Sequence, residues 1–389
     1  MIARPLPLLA LAVLALLAAL ASPGLSPDAQ AQALTDNKIV YGFSREFAPF
    51  SYERDGEPVG FEIDLLRAVL ADQDVELVIK PMNWIQVQMD LSDGLIDVTS
   101  GMAKTEQRQL LYSFSDLPTA AVKARLFTQS DHRVANVTQL RGNRVSVKEG
   151  SLYQRILEEV GGMNIKLYPT EAAALKALYE GDVDAFGGAD KTAFYLIDLL
   201  GLDHLSPVGT PLEITNMYFA VNKERQDLLA MINQGMRRVM ENGEYEALYR
   251  QWFVRELDDD EMFALMDAAK AATVNAYAPY SQEPTGAAVL GMSGQLYTGC
   301  NVENGVPRFS ASAITVAVLN AVSGGETDIR AAVAVLPDGR LVTPTAEERR
   351  LLQEFGRGIL VITEPEPGRY MTHTIAELLP TPYQTNDTP

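Results

Sequence analysis

Apolar runs with strand character alternate with segments of helical periodicity along the first half of this chain. Residues 38–43 and 144–147 have the apolar, β-branched composition of strands, whereas residues 60–70 repeat their apolar positions at helical spacing. Regular alternation of this kind predicts an α/β sheet. Ligands of such sheets bind at the carboxyl ends of the strands. Polar residues at strand-to-helix transitions are therefore the first candidates for a site.

One such transition carries a candidate anion site around Arg108. A strand-like run at 95–99 leads into a turn of small residues, and Thr105 is predicted to cap the following helix. A guanidinium binds a planar carboxylate through two hydrogen bonds, and the amides of the turn add favourable dipoles. The alternative is an ordinary surface arginine paired with an acid, and the local motif alone favours that alternative.

A second α/β block places two more polar residues at equivalent positions. Ser151 precedes a helix predicted at 152–160, and Asp190 follows a strand predicted at 181–186. The chain thus repeats the arrangement of the first block, with a polar residue at each transition.

Charge and composition exclude several classes of protein. Of the 389 residues, 51 are acidic and 32 are basic, giving a net charge of −19. An acidic chain without a basic run argues against nucleic acid or an anionic membrane surface as a partner. Cys300 is the only cysteine, so no intramolecular disulfide can form.

The N-terminal residues 1–33 predict a cleaved signal peptide. Arg4 precedes an apolar run at 8–21 that is too short to span a bilayer, and overlapping Ala-x-Ala sites follow it. The expected product is a soluble protein exported to the periplasm. An uncleaved membrane anchor is the disfavoured alternative.

Residues from about 38 to 255 resemble the extracellular solute-binding proteins of the polar amino-acid family (family 3), which serve ABC importers. The matching segments follow one another in the order of that family, at 47–50, 59–65, 93–97, 101–108, 114–116 and 181–184. The resemblance implies a binding domain at 34–257 with the two-lobed type II periplasmic binding fold. Lobe 1 would comprise about 38–125 and 217–255, and lobe 2 about 126–216.

The same resemblance implies an amino-acid site in the cleft. Arg108 would bind the ligand α-carboxylate with help from the turn at Ser151, and Asp190 would bind the α-ammonium. Phe47 and Trp84 would flank the ligand side chain. The small residues of the first turn, Ser100, Gly101 and Ala103, are the remaining candidates. Opposite charges on opposite lobes would let a zwitterion stabilise the closed state. Ser44 stands where binders of basic amino acids often have an acid, which favours a neutral or aromatic ligand. Phe47 and Trp84 could instead be core residues.

Residues from about 262 to 383 resemble cytidine deaminase, on the motifs at 278–281 and 297–304. The resemblance implies a three-layer α/β/α fold. Deaminases of this family bind Zn²⁺ through three ligands and use a glutamate to transfer protons. Here Ser312 takes the first ligand position, Ile314 the position of the glutamate, and Thr345 and Glu348 those of two cysteines. These residues form no ordinary zinc site, and isoleucine cannot transfer a proton. We therefore expect no metal, no cofactor and no catalysis.

Asn301 and Glu303 match residues that hold the ribose hydroxyls in that family. They could keep a nucleoside-binding role or serve only as structural hydrogen-bond partners, and the second is favoured. The deaminase fold commonly forms oligomers, so this module is also a candidate surface for homo-oligomer formation.

The leading hypothesis is a periplasmic protein that binds an amino acid or a similar zwitterion for an ABC transporter permease or a receptor. One alternative is a hydrolase or lyase, either deaminase-like or similar to the periplasmic dehydratases that resemble the binding fold. Another is a sensory or scaffold protein.

Overall fold

The computed structural model describes residues 37–129, 137–202, 204–366 and 368–379. The predicted signal peptide lies outside the described residues. No described helix is both long and apolar enough to cross a membrane.

The part of the chain up to residue 253 contains eight described α-helices and twelve strands. Its strands are β1 (Lys38–Ser44), β2 (Glu46–Phe47), β3 (Ser51–Arg54), β4 (Glu57–Val59), β5 (Glu76–Met82), β6 (Val98–Ala103), β7 (Tyr112–Phe114), β8 (Ala120–Gln129), β9 (Arg144–Lys148), β10 (Asn164–Tyr168), β11 (Ala185–Ala189) and β12 (Leu205–Asn222). Its helices are α1 (Phe61–Val69), α2 (Trp84–Ser92), α3 (Glu106–Leu111), α4 (Leu152–Val160), α5 (Glu171–Tyr179), α6 (Asp190–Leu200), α7 (Gln226–Glu241) and α8 (Glu244–Phe253).

Nine of these strands form one sheet with the order β10-β9-β11-β8-β12-β6-β1-β5, and β7 pairs with β12. The strands toward each end run parallel, as in the β1–β5 and β9–β10 pairs. The two long strands β8 and β12 pair antiparallel in the middle. The mixed sheet confirms the predicted α/β class and joins both ends of the unit through one strand pair.

The C-terminal part contains the remaining four helices and five strands. They are α9 (Asp259–Ala272), β13 (Gly286–Gly291), β14 (Leu296–Cys300), α10 (Ala313–Ser323), β15 (Ile329–Val335), α11 (Ala346–Phe355), β16 (Leu360–Glu366), β17 (Arg369–Thr374) and α12 (Ile375–Leu378). The strands form a second sheet in the order β14-β13-β15-β16-β17.

The second sheet is covered by helices on both faces. Ala288 of β13 packs in a cluster with residues of α9, and the adjacent Ala287 packs with residues of α10 and α11. Successive residues of a strand point to opposite faces of the sheet. Helix α9 therefore covers one face and α10 and α11 the other, which confirms the predicted three-layer arrangement.

Two strands differ from the sequence predictions in ways that affect the candidate site. The strand predicted at 95–99 is β6, which starts later and continues through the small residues to Ala103, because β12 pairs with it as far as Met217–Ala103. The strand predicted at 181–186 is β11, which runs through Gly187 and Gly188 to Ala189, because β8 pairs with it that far. The small residues after residue 99, which were predicted to form a turn, and the glycines after residue 186 are thus held in the sheet.

Candidate ligand-binding site

The predicted N-cap Thr105 is present and fixes the start of α3, the helix that carries Arg108. The Thr105 hydroxyl accepts a hydrogen bond from the Arg108 backbone N–H at 3.3 Å, so Arg108 lies in the first turn of α3. Its Nη1 donates to the Ala103 carbonyl at 3.2 Å and its Nη2 to Gln88 Oε1 at 3.4 Å. The guanidinium also lies 5.7 Å from the centre of the Trp84 ring. Three predicted site residues, Ala103, Trp84 and Arg108, are thereby brought together.

The guanidinium of Arg108 has neutral partners and lacks a carboxylate partner among the residues that the structure describes. Burial lowers its pKa from the ordinary value; Tyr112 acts to raise it, and the positive charge of Arg155 lowers it. A half-buried cation held only by a carbonyl and an amide oxygen retains the capacity to bind an anion.

Gly101 adopts φ 65° where two residues of β6 oppose one residue of β12, which is a β-bulge. A Cβ added to Gly101 would come within 3.0 Å of the Phe47 ring and 3.1 Å of a Glu62 carboxylate oxygen. Phe47 itself stacks on Phe50 with ring centres 4.6 Å apart. The bulge therefore needs glycine both for its backbone conformation and for the close approach of Phe47.

Ser100 is buried and faces a polar network below the strand. Its hydroxyl donates to Glu62 Oε2 at 2.7 Å and is hydrogen bonded to the Tyr41 hydroxyl. Thr119 donates to the other Glu62 oxygen at 2.8 Å. The Ser100 side chain thus supports the bulge through its hydrogen bonds to Glu62 and Tyr41.

Sequence reasoning missed Glu62 as part of this site. Its side chain is fully buried, and the Gly101 backbone N–H also donates to it. Burial raises its pKa to about 7, although the hydrogen bonds from Ser100, Thr119 and Gly101 act to lower it. The available signal was an acidic residue between Phe61 and Ile63 in an otherwise apolar helix face.

The opposite side of the cleft is formed by the start of α4. The Ser151 hydroxyl caps this helix by accepting from the Gln154 N–H at 3.2 Å, and it donates to the Lys148 carbonyl at 2.7 Å. A cavity of about 290 Å³ is lined by residues 103–105, by Leu152 and Arg155, and by residues 213–216 and 218 of β12, so that Ala103 is the one predicted site residue in its lining. Its volume is close to the lower end of the range for small-molecule sites.

Asp190 is buried at the start of α6. It accepts from the Lys123 backbone N–H at 3.1 Å and lies 3.9 Å from Lys191 Nζ. Burial acts to lower the pKa of Lys191, but Asp190, Tyr249 and Tyr245 together outweigh burial and raise it. In the described part of the chain Asp190 contacts Lys123 and Lys191 rather than Arg108, and its role toward an ammonium group stays a prediction.

The two sides of the cleft touch at its rim. The Tyr52 and Tyr195 hydroxyls are 3.0 Å apart, and Lys148 Nζ lies 3.7 Å from a Glu46 carboxylate oxygen. Each pair joins a residue of predicted lobe 1 to one of predicted lobe 2. The two predicted lobes are therefore in direct contact, and this arrangement is called closed below.

The candidate nucleoside residues of the C-terminal part are engaged in local structure. Asn301 accepts from the Thr285 N–H at 2.9 Å and donates to the Glu283 carbonyl at 3.0 Å. Glu303 accepts from the Tyr280 N–H at 2.7 Å, and the hydrogen bonds from Ser281 and Tyr280 hold its pKa below the ordinary value. These hydrogen bonds are those expected if Asn301 and Glu303 serve as structural hydrogen-bond partners, the role favoured from the sequence.

The residues at the zinc-ligand positions of the deaminase family cap helices. Ser312 accepts from the Thr315 N–H at the start of α10, while Thr345 and Glu348 form a reciprocal capping box at the start of α11. Ile314 is fully buried in the core. These groups do not fit zinc, because the donor set lacks thiolate and imidazole and its oxygens bind helix amides. In the described ranges, no three His, Cys, Asp or Glu residues are grouped so that they could hold a metal ion.

Residues 39–255 match the model of the bacterial extracellular solute-binding proteins, family 3. The match covers more than half of the chain, and the chain belongs to this family. Residues 222–343 match the cytidine and deoxycytidylate deaminase zinc-binding region. The two matches overlap at α7 and α8.

Individual relatives agree with both matches. The probable amino-acid-binding protein YxeM of Bacillus subtilis is 26% identical over 254 residues, which cover 64% of this chain and 95% of YxeM. The cytidine deaminase of Sporosarcina psychrophila is 34% identical over 124 residues, covering 32% of this chain and 91% of that enzyme. The C-terminal part therefore belongs to the cytidine deaminase family. A solved histidine kinase sensor domain with similarity to periplasmic binding proteins is 27% identical, with TM-score 0.53, and the alignment covers 56% of this chain and 96% of the domain.

Proposed function

We propose that this chain binds an amino acid or a similar zwitterion in the periplasm and delivers it to an ABC transporter permease. The observation that carries the proposal is the Arg108 guanidinium, which lies over the Trp84 ring and is held by neutral oxygens. A ligand α-carboxylate would supply the missing anion. Family membership and the amino-acid-binding relative support the same function.

In this proposal the binding unit comprises residues 34–257 and the deaminase-like unit residues 262–383. Lobe 1 contributes Phe47, Trp84 and the bulge at Ser100, Gly101 and Ala103, and lobe 2 contributes Ser151 and Asp190. Because the Asp190 carboxylate is next to Lys191, binding of an ammonium group would require Asp190 to exchange or share that contact.

The test is a thermal-shift screen of the purified chain against the twenty L-amino acids, followed by calorimetry on the best ligand. A ligand that binds only the folded state raises the melting temperature. Arg108→Gln should weaken binding about tenfold or more, because a charged hydrogen bond contributes about 1.5–3 kcal/mol. Arg340→Gln is the matched control, since Arg340 is exposed and pairs with Asp338 in the C-terminal unit. Unchanged affinity in Arg108→Gln would refute the carboxylate assignment.

We propose further that the C-terminal unit does not deaminate nucleosides. The helix caps at Ser312 and Thr345 and the buried Ile314 occupy the positions that would bind zinc and transfer protons. Metal analysis of the purified chain should find less than stoichiometric zinc, and cytidine should remain unchanged in its presence. One zinc per chain together with conversion of cytidine to uridine would contradict this proposal.

A receptor role is the second candidate function, and the similarity to a solved sensor domain favours it. Uptake of the identified amino acid by cells that lack this chain separates the two functions. Loss of uptake indicates an importer component, whereas normal uptake favours a receptor.

A further inference from the structure

Asp328 of the C-terminal unit is buried against the strand pair that joins the two sides of the binding unit. Its carboxylate forms an ion pair with Arg125 of β8 and lies 3.8 Å from Lys123 Nζ. The side chains of Arg125 and Asp328 are only 2% and 8% exposed, so water screens the pair little. Arg125 Nη2 also donates to the Thr327 hydroxyl at 3.2 Å.

The ion pair lies where the two crossing strands change register. Residues 120–124 of β8 pair with 213–217 of β12, and residues 126–129 pair with 205–208. Arg125 stands between these two stretches, and its Nη2 donates to the Gly209 carbonyl inside the register break at 2.7 Å. Because every connection between the lobes in the described sheet passes through this pair of strands, the break is where the lobes can rotate.

The charges around Asp328 link it to the predicted ligand site. Burial raises the pKa of Asp328, Arg125 and Lys123 act to lower it, and Asp190 and Glu326 act to raise it. Lys123 donates its backbone N–H to Asp190 and its Nζ to the Phe355 carbonyl at 3.2 Å. One residue of β8 thus contacts both the predicted ammonium-binding carboxylate and the C-terminal unit.

A second set of contacts fixes the C-terminal unit to helix α8 of predicted lobe 1. Arg357 forms an ion pair with Glu246 and lies 4.8 Å from the centre of the Tyr245 ring. Arg250 pairs with Glu377 at 2.9 Å. The C-terminal unit is therefore attached both to lobe 1 and to the strands on which lobe 2 would move.

We propose that the deaminase-like unit acts as a brace across the hinge of the binding unit and stabilises the closed arrangement. The Arg125–Asp328 ion pair fastens the brace to the hinge strands, and the contacts with α8 fasten it to lobe 1. In this role the unit needs its fold and its surface charges, and it needs neither zinc nor a proton-transfer residue.

The brace proposal can be tested by measuring the distance between the two lobes in the ligand-free full chain. Spin labels on Glu57→Cys and Glu180→Cys, in a Cys300→Ser background, report the separation of the two lobes from exposed positions. Asp328→Asn removes the charge that holds Arg125 and keeps the size of the side chain. We expect it to raise the ratio of open to closed molecules about tenfold, which lies within the usual range for coupling between sites.

Two further variants separate a brace from a local defect. Asp338→Asn changes an exposed ion pair of the same unit and should leave the lobe distances unchanged. Arg357→Gln loosens the attachment to α8 with Asp328 intact, so it should shift the distances in the same direction even if Asp328→Asn folds poorly. Parental distance distributions in both Asp328→Asn and Arg357→Gln, or a shift toward shorter distances, would overturn the proposal. No ligand is used, so this result is independent of the proposed amino-acid binding.

Discussion

Glu62 shows how a single buried carboxylate can support the candidate ligand site. Ser100, Thr119 and the Gly101 N–H all donate to it, and the Thr119 hydroxyl is also 3.2 Å from the Met217 carbonyl. If Glu62 gains a proton on the oxygen facing Thr119, it can donate to that hydroxyl while Thr119 donates to Met217. The network can therefore satisfy either protonation state, and glutamine can replace the protonated form.

The raised pKa of Glu62 predicts a pH dependence of stability. Between the ordinary value of 4.5 and the folded value of about 7, the folded state holds a proton that the unfolded state has released. The free energy of unfolding should therefore fall as pH rises through this window, by at most about 3 kcal/mol for this one group. Glu62→Gln should remove this contribution, which urea unfolding at several pH values would measure.

Glu171 provides the control for this prediction. Burial raises its pKa to about 7 as well, with Lys148 acting to lower it and Glu46 to raise it. Glu62→Gln should therefore reduce the pH slope and leave the part due to Glu171, while Glu171→Gln should leave the part due to Glu62. A slope in Glu62→Gln equal to that of the parent chain would show that Glu62 does not titrate in this range.

Interactions between residues close together in the sequence could be predicted, whereas interactions between distant residues could not. The Thr105 cap and the place of Arg108 were predictable because a cap involves residues three apart in sequence. The contact between Glu62 and Ser100 joins residues 38 apart and depends on the pairing of β6 with β12. No local pattern encodes such a contact, and the turn of small residues predicted after residue 99 was wrong for the same reason.

Helices were predicted more accurately than strands at the scale of whole elements. The helix predicted at 152–160 has those bounds and begins directly after Ser151, and the helical spacing at 60–70 corresponds to α1 at Phe61–Val69. Strand β12 has 18 residues and contains two prolines and a glycine, which ordinarily mark a loop. Its pairing with β8 on both sides of a register break keeps it extended. The part of this strand at 205–216 was therefore recognisable as a strand only in the tertiary structure.

The capping box of α11 predicts a measurable contribution to stability. Thr345 accepts from the Glu348 N–H at 3.3 Å, and Glu348 accepts from the Thr345 N–H at 2.7 Å. Thr345→Ala should lower the free energy of unfolding by about 1 kcal/mol, because it leaves the Glu348 N–H without its acceptor. Thr345→Ser keeps the hydroxyl and should have a smaller effect in the same urea titration. Equal stabilities of the alanine variant and the parent would show that the cap contributes nothing.

At the scale of the whole molecule, the C-terminal unit packs on the binding unit through charges that are shielded from water. A flexible tether between independent units would not need the buried Arg125–Asp328 pair or the contacts of Arg357 with α8. Removing one member of a buried pair leaves the other charge without compensation, at a cost of about 3–5 kcal/mol. Replacing both members by apolar residues removes that penalty. The two units should therefore respond together to mutation of this pair.

A double-mutant cycle with Arg125→Met and Asp328→Leu measures this coupling between units. The two tryptophans, Trp84 and Trp252, both lie in the binding unit, so their fluorescence follows unfolding of that unit alone. Asp328→Leu lies in the other unit, yet it should lower the fluorescence midpoint in urea because it leaves Arg125 buried and unpaired. The double variant should be more stable than the sum of the single effects predicts, since contacting residues are not additive. If Asp328→Leu leaves the urea midpoint of the tryptophan fluorescence unchanged, the stability of the binding unit is independent of the deaminase-like unit.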